Sequence, residues 1–129
     1  MLMDKKRVKI LIVDDEENLS LMLKEYFVRH GYQVDVACDG EEGLAKTKKV
    51  NPDLILLDVL MPILDGISML KELKSDPSTS GIPVIMLTNL DTKDKMEEAQ
   101  EMGVSHYLVK LNYSPKDLDM KIHEILSMI

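Results

Sequence analysis

The chain has 129 residues, 30% of them charged, and a net charge of −7. This length predicts a single domain over residues 1–129, and so acidic a chain is a poor candidate for direct binding to nucleic acid. The single cysteine, Cys38, excludes an internal disulfide, and without an apolar stretch of about 18 residues we expect no membrane-spanning helix.

Apolar and amphipathic runs alternate in the first half of the chain. The run 8–13 is rich in β-branched residues and predicts the first strand. Apolar residues at helical spacing then predict the first helix, which Gly31 ends. Alternating residues between 32 and 38 predict a half-exposed edge strand. A turn at 39–40 leads into the second helix, which ends before Asn51.

The same alternation continues through the second half of the chain, where two apolar runs predict strands that are covered on both faces. The predicted elements are a central strand at 54–57, a third helix carrying Ile67, Leu70 and Leu73, a second central strand at 84–87, a fourth helix from about Thr92 to Met102, a fifth strand at 106–109 and a fifth helix from Ser114-Pro115.

Five strand–helix units in sequence predict an α/β fold, a doubly wound, five-stranded parallel sheet with five helices on its two faces. The edge-like second strand favours the order 2-1-3-4-5. In such sheets, ligands bind beyond the carboxyl ends of the strands, where the strand order reverses. Here that point lies between the first and third strands.

Carboxylates stand at both sides of this predicted point. Asp14 and Asp15 follow the first strand, and Asp58 follows the third. Like charges that converge at short range are costly unless a cation or a proton lies between them. A hard divalent ion with oxygen ligands solves the problem, and Mg²⁺ takes one or two carboxylates while it keeps several waters. The three aspartates therefore predict a Mg²⁺ site.

Two further polar residues end neighbouring strands. Thr88 ends the fourth strand and Lys110 follows the fifth. At this edge, the lysine can bind a carboxylate or a phosphoryl oxygen as a point charge, and the threonine hydroxyl can donate a hydrogen bond to the same oxygens. Glu16 and Glu17 are interpreted as first-turn residues of the first helix, where acids favour the helix dipole.

Four segments of the chain together resemble the response-regulator receiver domain, the CheY-like family with a flavodoxin-like fold. All four occur in the right order and with the right spacing, and the resemblance covers nearly the whole chain. The segments are Ile12-Val13-Asp14-Asp15-Glu16, Leu57-Asp58-Val59-Leu60-Met61-Pro62-Ile63-Leu64-Asp65-Gly66, Pro83-Val84-Ile85-Met86-Leu87-Thr88 and Gly103-Val104-Ser105-His106-Tyr107-Leu108-Val109-Lys110.

The resemblance implies that Asp58 accepts a phosphoryl group. It also implies that Asp14, Asp15 and Asp58 hold Mg²⁺ together with the backbone carbonyl of Leu60. In this chemistry, a carboxylate attacks phosphorus in line and forms an acyl phosphate. The domain would catalyse only its own phosphoryl transfer and dephosphorylation, so it is not expected to be an enzyme acting on other substrates.

The resemblance also implies roles for three other residues and for partner proteins. Thr88 and Lys110 would hold the phosphoryl group, and Tyr107 would turn inward as a switch that alters the face formed by helix 4, strand 5 and helix 5. The donor would be a phosphohistidine on a sensor histidine kinase or a phosphotransfer protein. The output would be a downstream protein partner or a fused effector, in the cytoplasm, without direct binding to nucleic acid or membrane.

A degenerate receiver, which binds partners without phosphorylation, is the alternative, although all five key residues are present. Enzymes of similar topology fit poorly, because the acidic run after the first strand would repel the phosphate that a flavodoxin binds there. A haloacid-dehalogenase-type phosphatase would need Asp-x-Asp, whereas Asp14 and Asp15 are adjacent.

Two residues, Leu111 and Asn89, depart from the family pattern, and two leucines beside the predicted site lead to a further expectation. Leu111 stands where proline usually follows the lysine, so we expect a trans peptide bond there. Asn89 replaces the usual small residue after Thr88. Leu60 and Leu90, two residues after Asp58 and Thr88, cannot orient a water, so we expect a long-lived phosphorylated form.

Overall fold

A computed structural model describes residues 8–88, 93–104 and 106–127. Within these ranges the chain forms five strands and five α-helices. The strands are β1 (Lys9–Val13), β2 (Gln33–Ala37), β3 (Leu54–Asp58), β4 (Val84–Thr88) and β5 (His106–Val109). The helices are α1 (Glu17–Arg29), α2 (Gly40–Val50), α3 (Gly66–Ser75), α4 (Lys93–Glu101) and α5 (Pro115–Ser127), with a 3-10 turn at Lys110–Asn112.

The strands form one parallel sheet in the order β2-β1-β3-β4-β5, which confirms the predicted fold class and strand order. Val13 pairs with Leu57 across β1 and β3, so these two strands end side by side. Asp58 pairs with Leu87, and Thr88 with Val109. The register therefore brings the carboxyl ends of β1, β3, β4 and β5 to one edge of the sheet.

Burial follows the strand positions that the sequence predicts. Every residue of β3 and β4 is buried, because helices cover both faces of these central strands. In the edge strand β2, only Ala37 is fully buried. The apolar side chains of the sheet belong to two separate hydrophobic cores, because helices cover both of its faces.

The two cores lie on opposite faces of the sheet. The first joins α1 and α5 to the sheet through Leu23, Phe27, Leu118 and Ile122. The second joins α3 and α4 to the other face through Ile67, Leu70 and Ala99, and half-buried Leu44 of α2 packs against it. A lipid bilayer could not be crossed by any helix within the described ranges, since each is too short or too polar.

The helix ends agree closely with the predicted ones. Asp39 caps α2 through a hydrogen bond that its side chain accepts from the Glu42 amide at 2.8 Å. Thr92, the predicted start of helix 4, lies outside the described residues, and α4 is described from Lys93. The 3-10 turn after β5 was not predicted. No cis peptide bond occurs among the described residues, so the expectation of a trans bond before Leu111 is confirmed.

Candidate functional site

Three carboxylates meet where β1 and β3 end. Oxygen atoms of Asp14, Asp15 and Asp58 all lie within 4.8 Å of one another. Asp58 is the last residue of β3 and is only 6% exposed, Asp14 is also buried, and Asp15 faces solvent. The sheet register explains this meeting, because parallel strands that end side by side bring the residues after them together.

The ammonium group of Lys110 lies among these carboxylates. Its Nζ atom is 2.6 Å from Asp14 Oδ2 and 3.5 Å from Asp58 Oδ2. The Lys110 side chain is 6% exposed, so water screens these contacts little. Burial lowers the pKa of Lys110, but the hydrogen bond to Asp14 and the charges of Asp14 and Asp58 outweigh burial and raise it. The lysine is therefore a cation at neutral pH.

Asp58 has an unusual electrostatic environment. Burial and the charge of Asp14 raise its pKa to about 7, with a smaller contribution from Asp15, while Lys110 lowers it. The carboxylate form of Asp58 is thus disfavoured, first because burial removes it from water and second because the Lys110 ammonium does not balance the neighbouring acids. A further cation at this edge would favour the ionised form of Asp58.

Glu16 contacts Lys110, a contact that the sequence interpretation missed. Its Oε1 atom lies 3.2 Å from Lys110 Nζ. Helix α1 begins at Glu17, so Glu16 precedes the first turn instead of lying within it, and its amide donates a hydrogen bond to Asp14 Oδ1 at 2.8 Å. The sequence did offer one signal for this contact, because Glu16 directly follows Asp15 at the same strand end.

Thr88 lies on β4, the strand next to β3, and Tyr107 lies on β5, the strand next to β4. Thr88 is the buried last residue of β4. Tyr107 packs against the core formed with α3 and α4, and its hydroxyl is buried with no hydrogen-bond partner among the described residues. A buried hydroxyl without a hydrogen-bond partner is unfavourable.

One further predicted residue, Leu60, lies in the loop after β3. Leu60 follows β3 by two positions and is 53% exposed. Asn89 and Leu90 lie outside the described residues, and so does Ser105.

This site combines features for both a cation and an anion. The carboxylate oxygens suit a hard metal ion, whereas the Lys110 ammonium and the Thr88 hydroxyl suit the oxygens of a phosphoryl group. The buried carboxylate of Asp58 lies at the boundary between these two halves. Such an arrangement can hold charge of both signs around one nucleophilic oxygen.

A family model described as the response regulator receiver domain matches residues 10–123. The alkaline phosphatase synthesis transcriptional regulatory protein PhoP of Bacillus subtilis (strain 168) is 40% identical over 118 residues, which are 92% of this chain and 48% of that protein. The probable transcriptional regulator ycf27 of Cyanidium caldarium is 41% identical over 127 residues, 98% of this chain and 49% of that protein. The chain thus spans about half the length of the curated relatives it matches.

Solved structures agree with the family match. A CheY-like receiver domain protein from Methanospirillum hungatei JF-1 superposes with a TM-score of 0.87 at 30% identity, covering 94% of each chain. The chemotaxis protein CheY4 of Vibrio cholerae superposes with a TM-score of 0.83 at 32% identity, covering 91% of this chain and 97% of the other. Fold, acidic cluster and sequence similarity agree, and the chain belongs to the family of response regulator receiver domains.

Proposed function

We propose that this chain is a phosphoacceptor domain that takes a phosphoryl group from a phosphohistidine of a partner protein onto Asp58. One observation supports this proposal above the others. The buried carboxylate of Asp58 lies within 4.8 Å of those of Asp14 and Asp15 and 3.5 Å from the Lys110 ammonium. A degenerate receiver would have no need of this complete set of charges.

The transfer is a displacement at phosphorus. An Asp58 oxygen forms a bond to phosphorus while the bond from phosphorus to the donor imidazole nitrogen breaks. The bonding electrons leave with the imidazole, which then takes a proton from water. Lys110, released in part from Asp14, binds a phosphoryl oxygen as a point charge, and the Thr88 hydroxyl donates a hydrogen bond to another.

The acidic cluster fits Mg²⁺, because burial and the charge of Asp14 together raise the pKa of Asp58 to about 7, and a bound cation would favour the ionised carboxylate against both. Asp14, Asp15 and Asp58 would hold the ion with the backbone carbonyl of Leu60. When bound, the ion neutralises negative charge on the transferring group. The protein residues themselves orient Asp58, hold Lys110 nearby and bury the nucleophile.

Phosphorylation would then act on a surface away from the site. The Tyr107 hydroxyl, which is buried without a hydrogen-bond partner in the part of the chain that the structure describes, supports a switch in which this ring moves together with Thr88. Among the described apolar side chains, helix α4 packs through only half-buried Met96 and buried Ala99, with half-buried Met102 just beyond its end. So small an apolar contact supports movement of the helix at low cost. The output surface would be formed by α4, β5 and α5.

The partners follow from this chemistry. The donor is a sensor histidine kinase or a phosphotransfer protein, and the output is a downstream protein or an effector in the same polypeptide. Two of the relatives are named as transcriptional regulators, which supports a fused effector. The domain modifies only itself, so it is not an enzyme in the usual sense. Since a single cysteine is compatible with a reducing compartment, we propose that it acts in the cytoplasm without contacting nucleic acid or membrane.

The proposal is tested by incubating the protein with a small acyl-phosphate donor, with Mg²⁺ or with a chelator, and measuring the intact mass. We expect one added phosphoryl group with Mg²⁺ and little or none with the chelator. A chain that stays unmodified with both Mg²⁺ and donor, while remaining folded, would instead be a phosphorylation-independent receiver.

The Glu16→Gln variant is expected to bind an anionic donor more tightly and Mg²⁺ more weakly. The Glu16 carboxylate lies 3.2 Å from Lys110 Nζ, so its loss leaves the ammonium with one carboxylate partner fewer and removes one negative charge from the cluster. At low salt, we expect changes of about two- to fivefold in opposite directions. The measurements are KM for the acyl-phosphate donor and the Mg²⁺ dissociation constant.

The matched control is Glu17→Gln, which removes the same charge from the first turn of α1. It should change both constants much less than Glu16→Gln does. Equal effects of the two variants, or changes of the same sign in both constants, would contradict a specific action of Glu16 through Lys110.

The phosphorylated form is expected to decay slowly. The exposed Leu60 side chain, 53% accessible beside Asp58, has no group that can orient an attacking water. We expect Leu60→Asn to speed the decay by about three- to tenfold, because a positioned water reacts faster than a free one. The decay is followed by intact mass after the donor is removed, with Leu60→Met as the apolar control. If the asparagine variant decays as slowly as the methionine variant, water orientation at this position does not set the lifetime.

A further inference from the structure

The turn that begins α2 packs directly on the loop that follows β3. The Gly40 amide donates a hydrogen bond to the Leu64 carbonyl at 3.0 Å. A Cβ atom on Gly40 would lie only 2.3 Å from that carbonyl oxygen. The two backbones approach so closely that no other residue type fits at position 40 without a shift of the loop.

The same loop contains a strained turn. The Leu64 amide donates a hydrogen bond to the Pro62 carbonyl at 2.8 Å, and Ile63 between them has a φ of 70°. A three-residue turn of this hydrogen bond and sign is the rare form of the γ-turn, and a β-branched residue makes it less favourable still. Strain of this kind persists where surrounding structure holds it, and the Gly40 contact falls on the last residue of this turn.

The loop is also attached tightly to the end of β3. The Gly66 amide donates a hydrogen bond to the Val59 carbonyl at 2.9 Å. A Cβ atom on Gly66 would lie 2.0 Å from the carbonyl oxygen of Asp58. The loop therefore starts at Asp58 and returns to it at Gly66, so both of its ends are fixed. If Leu64 is displaced, the backbone between residues 59 and 65 has to change shape. Leu60 lies in that stretch.

We propose that Gly40 is a positioning residue for the Mg²⁺ site. Its contact with Leu64 holds the 59–65 loop in the strained shape that aims the Leu60 carbonyl and supports Asp58. This inference rests on the proposed function and extends it to a residue on a different strand–helix unit. The turn before α2 thus acts on the metal through the loop, without touching the metal itself.

The test is the Mg²⁺ affinity of the full chain, measured by NMR titration for the wild type, Gly40→Ala and Gly43→Ala. Both variants add one methyl group to α2. At Gly43 the new Cβ would meet side-chain atoms of Met69 and Val13 at 2.9 Å, so the close contact there falls on side chains and not on the backbone of the 59–65 loop. We expect Gly40→Ala to weaken Mg²⁺ binding by about tenfold, as loss of a residue that supports metal ligands does, and Gly43→Ala to stay near the wild type.

The outcomes separate this inference from the proposed function. A wild type that binds no Mg²⁺ would overturn both. A wild type that binds Mg²⁺, with unchanged affinity in Gly40→Ala or with equal losses in the two variants, would overturn the positioning role alone.

A second measurement needs no variant and covers the case in which Gly40→Ala fails to fold. If the contact supports the metal site, bound Mg²⁺ must in turn stabilise the contact. Hydrogen exchange of the Gly40 amide in the wild type should therefore slow when Mg²⁺ is saturating. The Asn51 amide, which donates to the Thr47 carbonyl at the other end of α2, should change little. An equal response of the two amides would contradict the proposal.

Discussion

Replacing Asp58 with asparagine is expected to abolish phosphorylation of this chain. The asparagine side chain has nearly the same shape as aspartate, but its neutral amide is not a nucleophile toward phosphorus. The Asp14, Asp15 and Lys110 side chains would still be present, so any remaining modification would have to occur on another residue. Intact mass after incubation with an acyl-phosphate donor and Mg²⁺ measures the result.

The matched control is Asp35→Asn, the same change of residue type in the edge strand β2 and away from the site. It should take up the phosphoryl group as the wild type does. Full labelling of Asp58→Asn would contradict the assignment of the phosphoacceptor, whereas loss of labelling in both variants would indicate damage to the fold.

The second large effect expected is on stability and its dependence on pH. Burial and the charge of Asp14 raise the pKa of Asp58 to about 7. At pH values between the pKa of an unfolded aspartate and the pKa of folded Asp58, the folded state binds a proton that the unfolded state has lost. Stability attributable to Asp58 therefore falls as the pH rises through this window, and ionised Asp58 destabilises the metal-free protein above it.

Asp58→Asn removes this penalty, so the variant should be more stable than the wild type without divalent cations. We expect its advantage to grow by about 2 kcal/mol between about pH 5 and about pH 8. Urea denaturation of both proteins at the two pH values, in the presence of a chelator, measures the difference. The comparison cancels the titration of acids far from the site, which both proteins share.

Mg²⁺ should reduce the advantage of Asp58→Asn at the higher pH. A ligand that binds only the folded state stabilises it, and the stabilisation grows with the logarithm of its affinity. The wild type offers Mg²⁺ one more carboxylate than the variant does. A stability difference that is the same at both pH values, or that does not respond to Mg²⁺, would contradict the expectation that ionised Asp58 destabilises the metal-free protein.

Local patterns were sufficient to predict most of the fold. The fully apolar run 54–57 predicts a strand buried on both faces, and β3 is buried throughout. Asp39 before Gly40 predicts the start of α2, and Asn51 its end, as the structure has them. These predictions succeed because strand burial and helix capping depend on residues that are close together in the sequence.

The meeting of Asp14, Asp15 and Asp58 could also be expected, since it follows from strand order and strand ends alone. The distances between these carboxylates and the pKa of Asp58 could not be predicted from the sequence. The raised pKa depends on how deeply β3 is covered and on where the Lys110 ammonium lies among the carboxylates. Both result from packing between elements that are far apart in the chain.

The sequence by itself determined the element order, the parallel sheet and the edge at which the acidic residues gather, because periodicity and turn residues are local signals. Only the tertiary structure decided the contact of Glu16 with Lys110 and that of Gly40 with the Leu64 carbonyl. Each of these joins two segments whose relative position no local pattern specifies. The physical reason is that loop contacts depend on the packing of whole elements, which sets distances to within a few ångströms only after the sheet and its helices have assembled.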